Sequence, residues 1–311
     1  MDFIHQGSFS KDRLQTPLLP HTLSNLGPAL ARGDVNSDGL MDLFLGGGED
    51  QAPSLFLQQS DGAFTKAVVP AFEQHKQYED VDAIFFDALG NGHLDLYVVS
   101  GGNFDPTNGP FYQDRLYLND GFGNFAYARD ALPSMETSGG SVTLLDIEGD
   151  GDSDLFVGGR VVTGNYPMPP RSYLLQNNSG TFTDVTGQAS QELLRPGMVS
   201  DAAWADIDND QQAELIIAGE WMPVRIFKSS GNLSFREITM EAGLGQTSGW
   251  WGTLEVADMN GDGSLDIVAG NRGLNTSLQP TPAEPVIVYA GDFDGNGSVD
   301  PIITAITSGE R

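Results

Sequence analysis

The nine residues from Asp258 to Asp266, "DMNGDGSLD", hold three aspartates, an asparagine and two glycines. Carboxylates gathered this closely repel one another unless a cation sits among them, and the glycines let the backbone turn tightly enough to surround one. The chemistry on offer is coordination of a hard cation by carboxylate and amide oxygens, with Ca2+ the expected ion. Asp, Asn and Gly are also ordinary turn formers, so one copy decides little. The chain has six copies, beginning at Asp34, Asp87, Asp146, Asp206, Asp258 and Asp292, at intervals of 34 to 60 residues. That interval is the length of a supersecondary unit, and repetition at such a period marks a repeat architecture.

Positions one, three, five and nine of each loop supply the candidate ligands. They are Asp34, Asn36, Asp38 and Asp42 in the first loop; Asp87, Asn91 and Asp95 in the second; and Asp146, Glu148, Asp150 and Asp154 in the third. The fourth offers Asp206, Asp208, Asp210 and Glu214, the fifth Asp258, Asn260, Asp262 and Asp266, and the sixth Asp292, Asp294, Asn296 and Asp300. Loops one, five and six keep the full pattern. In the second, Leu89 takes the third position and removes a ligand; in the fourth, Gln211 stands where the others have a turn glycine. An EF-hand would need a following helix and a bidentate Glu at position twelve. The twelfth residues here are Leu45, Val98, Val157, Ile217, Ala269 and Ile303, so the last carboxylate must come from position nine.

The flanks say what positions the loops. An apolar run precedes each loop ("AIFFD", "VTLLD") and another follows it ("DLYVVSGG", "DLFVGG"), short, rich in Val, Ile, Leu and Phe, and closed by glycine. These read as buried strands, which makes each loop a strand-to-strand turn. Four units continue with "SLFLQQSDGAF", "RLYLNDGFGNF", "SYLLQNNSGTF" and "VRIFKSSGNLSF", each an apolar strand, a Gly-containing turn and a Phe, which is a hairpin signature. The expected fold is all-β: a β-propeller of four-stranded blades, about 50 residues each, over residues 1–311 as one domain. Dividing at the loop aspartates gives blades 34–86, 87–145, 146–205, 206–257, 258–291 and 292–311, the last completed by 1–33.

The repeated D-x-[DN]-x-[DN]-G-x-x-D pattern, with its apolar strand and hairpin, resembles the FG-GAP and VCBS repeat families, the calcium-binding blades of integrin-α-like propellers. Stretches such as "GEWMPVRIF" and "DFDGNGSVDPI" are similar, more narrowly, to large secreted bacterial VCBS-repeat proteins. The resemblance implies Ca2+ in the loops and, as in integrin propellers, a ligand face on the opposite side.

Fifteen basic and 43 acidic residues give a net charge of −28, which opposes nucleic acid and anionic membranes as partners. No apolar run reaches the length of about 18 residues that a membrane helix requires, so membrane insertion is not expected. The first residues, "MDFIHQGSFS", carry no secretory signal pattern, and a secreted protein would have its signal upstream of them. Loops of this type fill readily at millimolar Ca2+, which favours an extracellular or cell-surface location, and the unit is expected to act as a monomeric module of this chain or of a longer one. Residues 2–9, "DFIHQGSF", resemble a worn hairpin that would complete the last blade and close a six-bladed ring. The rival reading is a longer protein whose ring has seven or more blades.

Other motifs weigh less. "RGD" at Arg32, Gly33 and Asp34 commits its aspartate to the first loop. Asn177, Asn232, Asn275 and Asn296 head N-x-Ser sequons. The four histidines have no H-E-x-x-H spacing, and there is no G-x-S-x-G elbow and no cysteine, so catalysis is not the expected role. A binding role is, with a polysaccharide-active enzyme or a structural spacer as the alternatives. In an up-and-down blade the turn between strands one and two, which holds the loop, lies opposite the turn between strands two and three. The latter face collects the long insertions from residues 101 and 158 and the inter-blade segments. It offers Phe104, Tyr112, Arg160, Tyr166, Arg195, Trp250 and Trp251 as the expected binding set for a glycan or protein ligand.

Overall fold

The protein is represented by a computed structural model that describes residues 3–7, 12, 16–104, 109–231, 233–273, 275–276, 278 and 280–306. Sheet one is β1 (Leu30–Gly33), β2 (Asp42–Leu45), β3 (Ser54–Gln58) and β4 (Phe64–Lys66), antiparallel and hydrogen-bonded in chain order. Sheet two repeats this with β5 (Asp80–Phe86), β6 (Asp95–Ser100), β7 (Arg115–Asn119) and β8 (Phe125–Tyr127). Sheet three is β9 (Ser138–Leu145), β10 (Asp154–Val161), β11 (Tyr173–Asn178) and β12 (Thr181–Asp184). In sheet four, β13 (Met198–Ala205), β14 (Glu214–Met222), β15 (Arg225–Ser229) and β16 (Phe235–Glu237) keep the order. The far end of β14 also pairs with β17 (Gly249–Ala257), Glu220 opposite Trp250, which joins sheet four to the next. β17 pairs with β18 (Asp266–Asn271), and β19 (Ile287–Gly291) with β20 (Asp300–Thr304). Among the described residues these last two units have two strands of their own, as the missing hairpin signature after "DIVAG" and "DPIITAI" would suggest.

Sheets of this kind are apolar on both faces, and they bury both by stacking on their neighbours. β6 and β10 are buried at every position. Phe44, Leu55, Phe85 and Phe125 fill the space between sheets one and two, with Phe72 of the short helix α1 (Pro70–Glu73). Tyr97, Leu155 and Phe182 do so between two and three, Phe156, Leu215 and Phe227 between three and four, and Ile216, Ile226 and Leu254 between four and five. Each such fully buried side chain contributes roughly 1.5–3 kcal/mol. The leading strands β1, β5, β9, β13 and β17 lie each against the next, so the sheets fan out in chain order from a shared inner edge. Each sheet opens one strand ahead of its loop, so a division at the loop aspartates leaves the leading strand in the preceding unit.

Side chains lock neighbouring sheets together. Asp82 on β5 accepts from the Val142 N–H on β9 at 2.8 Å, and Asp201 on β13 from the Leu254 N–H on β17 at 2.7 Å. The Asn119 amide donates to the Val35 carbonyl in the first loop (2.8 Å) and the Asn177 amide to the Ala88 carbonyl in the second (3.0 Å). Buried Arg115 pairs with Asp80 at 2.6 Å, while Asp80 also accepts from Gly47 N–H at 2.7 Å, tying sheet two to the exit of sheet one.

Residues 3–7 depart from the expected hairpin. They form no strand and lie on sheet one: Gln6 N–H donates to Gln51 Oε1 (2.8 Å), Gln51 Nε2 to the Ile4 carbonyl (2.9 Å), and Phe3 packs edge-on to Phe56. Residues 2, 8 and 9 lie outside the described residues. The later strands are less covered than the earlier ones, with Val268 on β18, Tyr289 on β19 and Ile302 on β20 all exposed.

Candidate metal centres

All six loops share one wiring. The aspartate at position one curls over the turn and accepts backbone N–H groups ahead of it: Asp34 takes Asp38 (3.1 Å) and Gly39 (2.8 Å), and Asp87 takes Asn91 (3.0 Å) and Gly92 (2.6 Å). Asp146 accepts from Gly149 and Gly151, Asp206 from Asp210 and Gln211, Asp258 from Gly261, Asp262 and Gly263, and Asp292 from Gly295, Asn296 and Gly297. Position nine works backward, accepting the N–H of position two: Asp42 from Val35, Asp95 from Ala88, Asp154 from Ile147, Glu214 from Ile207, Asp266 from Met259 and Asp300 from Phe293. Position five caps the turn in every loop, whether acid or amide, as Asp38 does for the Leu40 N–H, Asp262 for the Ser264 N–H, Asn91 for the His93 N–H and Asn296 for the Ser298 N–H. Asn36 and Asn260 at position three accept from those same position-five amides, and Asp294 does so from Asn296.

The wiring divides the candidate ligands into two kinds. Asp42, Asp95 and Asp154 are fully buried, because each spends its second oxygen on the third strand: on Gln58 N–H (2.9 Å), Asn119 N–H (2.8 Å) and Asn177 N–H (2.7 Å). Burial raises all three above the ordinary carboxylate range, Asp154 to about 7. Among the described residues Asp266 and Asp300 have no third strand beside them, and they stay half-buried. Positions one, three and five stand at the tip, mostly exposed, where an ion could reach them.

Loop by loop the donor sets differ. In the sixth, oxygens of Asp292, Asp294 and Asp300 lie within 4.8 Å of one another, a spacing that one ion could bridge. The third is the most crowded. Asp152 at position seven, which spacing alone did not single out, has Oδ1 buried without a partner and is raised to about 6 by burial and by Asp150 beside it. The loop carries five acidic side chains, but no three of them bring oxygens within 4.8 Å of one another, as the carboxylates of loops four and six do. The second lacks a ligand at Leu89, whose side chain instead lies against Gly180 in the neighbouring hairpin. In the fourth, Asp206, Asp208 and Asp210 also converge within 4.8 Å, but Lys228 of β15 reaches in. Its ammonium pairs with Asp208, lies 2.7 Å from Asp210 and 3.3 Å from Glu214, and stands where an ion would. Gln211 adopts φ +72°, the left-handed conformation of Gly39 at the same position in loop one (φ +84°), at a cost glycine avoids. Lys228 sits one strand away in "VRIFKSS", and only the ladder that sets Glu214 opposite it reveals its role.

The face at the other end of the sheets holds the expected binding set, and much of it is buried. Tyr112 is buried, with its hydroxyl 2.7 Å from Thr163 Oγ1, and Phe104 packs against Tyr112 and Phe111. Arg160 and Tyr166 are buried too, and both hold Glu220: the guanidinium pairs with it, and the phenol donates to it at 3.2 Å. His21 Nε2 lies 3.0 Å from the same carboxylate. Burial alone would raise Glu220, but Arg160 and His21 bring it down to about 2. Trp251 donates its indole N–H to the Thr247 carbonyl (2.9 Å) and packs on the core between sheets four and five. Arg195 is exposed, and Trp250 half-exposed. Of the seven, then, Arg195, Trp250 and Trp251 keep exposed surface, while Phe104, Tyr112, Arg160 and Tyr166 are buried beneath this face. Trp221, which the sequence reading passed over inside a strand, is half-exposed beside Trp250. Arg32 of the RGD tripeptide is exposed, but Gly33 is buried against Leu94 and Phe85 and Asp34 is held by its own loop. Asn177 is buried in its inter-sheet contact, and Asn232 lies outside the described residues.

The FG-GAP-like repeat model matches residues 34–98, 87–157 and 206–269, each match running from the first aspartate of a loop, through its strand and the hairpin after it, into the strand that follows the next loop. The chain belongs to the FG-GAP-like repeat family. The chain is 28% identical over 202 residues to cartilage acidic protein 1 of Xenopus tropicalis, covering 60% of this chain and 28% of that protein's length. Among solved structures, the biofilm matrix protein Bap1 of V. cholerae aligns over 95% of this chain and 39% of its own at 13% identity (TM-score 0.41). The Dos1 propeller aligns over 77% and 66% at 12% identity (TM-score 0.42). Among the described residues no helix is long and apolar enough to cross a membrane.

Proposed function

We propose that this FG-GAP repeat protein is an extracellular recognition module: Ca2+ in the loops stiffens one face, and the opposite face binds a glycan or protein partner. The observation that carries the reading is the shared loop wiring, which turns positions one, three and five of every repeat outward at one end of the sheets. With position nine they would supply the oxygens for the ion in loops one, three, five and six, and fewer in loop two. A bound Ca2+ supplies positive charge that offsets the crowding of carboxylates and so holds the tips rigid. The residues themselves fix the turn: positions one and nine bind backbone N–H groups whether or not an ion is near. At the far end, Trp221, Trp250 and Arg195 are accessible over a base in which Arg160, Tyr166 and His21 converge on Glu220, and rigidly supported aromatic and arginine side chains suit recognition.

Screening the protein against glycan and protein arrays with Ca2+ and with EGTA tests the reading. The expected result is a specific ligand that Trp250→Ala weakens and loop substitutions such as Asp262→Asn affect only through stability. Binding lost solely through changes beside the loops would place the recognition surface on the wrong face.

A further inference from the structure

A cavity of about 760 Å³ opens on this face, between the end of β14, the start of β17 and the segment leading to β19. Its volume lies within the range of about 300–1,000 Å³ typical of small-molecule sites. Trp221 and Trp250 form two of its walls, edge-to-face at 4.9 Å between ring centroids and 85° between planes. Trp221 holds φ +59°, a left-handed conformation that is costly for a bulky side chain and persists where the surroundings enforce it. Here they do: its indole N–H donates to Tyr166 Oη at 2.7 Å, and Tyr166 is fixed by Glu220, itself fixed by Arg160 and His21. The buried charges of this face therefore serve to aim one indole into the cavity. The Trp250 indole N–H is buried and without a hydrogen-bond partner, a donor left over for a ligand.

The charge of the lining is the second feature. In a chain with 43 acidic residues and 15 basic ones, the only charged residue lining the cavity among the described residues is Arg272. Its backbone N–H is tied to the Trp250 carbonyl at 2.8 Å, and its guanidinium lies 5.7 Å from the Trp250 ring. Arg115, Arg160, Arg171, Arg225, Lys228 and Arg236 have carboxylate partners, whereas the exposed Arg272, like Arg195, has no carboxylate partner among the described residues. An unpaired guanidinium beside two indoles offers a bidentate contact to a carboxylate and flat apolar walls to whatever carries it. Sugar rings present such flat C–H faces, edged by hydroxyls that Asn271 and the Trp250 N–H could meet.

Resting on the recognition-face reading above, we propose that this cavity binds a carboxylated sugar, a uronic acid unit of an acidic glycan, with the ring against Trp221 and Trp250 and its carboxylate on Arg272. The test titrates trimers of galacturonate, glucuronate and mannuronate, and their methyl esters, into the Ca2+-loaded protein, following tryptophan fluorescence and heat. At least one acid trimer binds and quenches the fluorescence, its ester binds at least tenfold more weakly, and Arg272→Gln and Trp250→Ala each lose tenfold or more while melting like the parent. Failure of every acid trimer to bind, equal binding of acid and ester, or an unchanged affinity in Arg272→Gln overturns the proposal. A neutral glycan or a protein whose binding depends on Arg195 but not on Arg272 would do so too, while leaving the recognition face in place.

Discussion

Replacing Asp42 and Asp34 in the same loop separates a residue that serves the fold from one proposed to serve the metal. Asp42 is fully buried, and its two oxygens accept the N–H groups of Val35 (3.1 Å) and Gln58 (2.9 Å). Asp42→Ala leaves both donors without a partner. A buried unsatisfied donor costs about 1–3 kcal/mol; the Val35 site is dry and the Gln58 site half-wet, and part of the loss is returned because a buried carboxylate is itself costly. A net loss of about 2–4 kcal/mol follows, with no ion required. Asp34 binds the N–H groups of Asp38 and Gly39, both exposed, and water replaces it there at a cost of about 0.5 kcal/mol. With Ca2+ at a hundredfold excess over Kd, losing the site removes a further contribution of about 2.7 kcal/mol. Urea unfolding followed by circular dichroism should therefore show Asp42→Ala far weaker than the parent in EGTA, Asp34→Ala nearly unchanged in EGTA, and both weaker in Ca2+. Equal midpoints for the two variants in EGTA would refute the division of roles.

Lys228→Gln removes the ammonium from loop four; isothermal titration should then count one more Ca2+ site than in the parent, and an unchanged count would mean that Lys228 does not hold the place of the ion. Burial raises Glu79 to about 8 and Asp114 to about 7, so the folded chain keeps protons that the unfolded chain has released, and stability falls as pH rises toward 8. Burial and Arg115 lower His75 to about 4, which acts in the opposite sense between about 4 and 6.5, so the fall is cleanest from pH 6.5 to 8.5. Thermal melts in EGTA across that range should decline, and Glu79→Gln, permanently neutral, should flatten the decline; parallel slopes would exclude Glu79 as a source.

Most of the fold could be read from the sequence because each repeat states its own strands: apolar runs such as "DLYVVS" are buried on both faces by neighbouring sheets, and the loop and hairpin turns mark where they end. The shared geometry of the loops was legible for the same reason, since spacing within nine residues is local. What the sequence hid depends on register or on packing. Lys228 reaches loop four only because β14 and β15 pair Glu214 with it, and Asp152 becomes notable only once crowded. Phe104, Tyr112, Arg160 and Tyr166 read as a recognition set because they fall within the long insertions, yet their side chains are buried and support the face. Trp221 went unnoticed in "GEWMPVRIF", where nothing local signals a left-handed residue. The N-terminal hairpin was expected from a likeness to "LFLQQSDGAF" that lacks the turn chemistry to pin it, and residues 3–7 instead use Gln6 and Phe3 to lie on sheet one.

The claim that the loops are Ca2+ sites coupled to folding is tested most directly by the melting temperature of the metal-stripped protein as Ca2+ is restored. Each filled site adds RT ln(1 + [Ca2+]/Kd) to the folded state, so the account predicts a rise of many degrees that continues through millimolar Ca2+ and is reversed by EGTA. Superimposable melts in EGTA and in millimolar Ca2+ would contradict it.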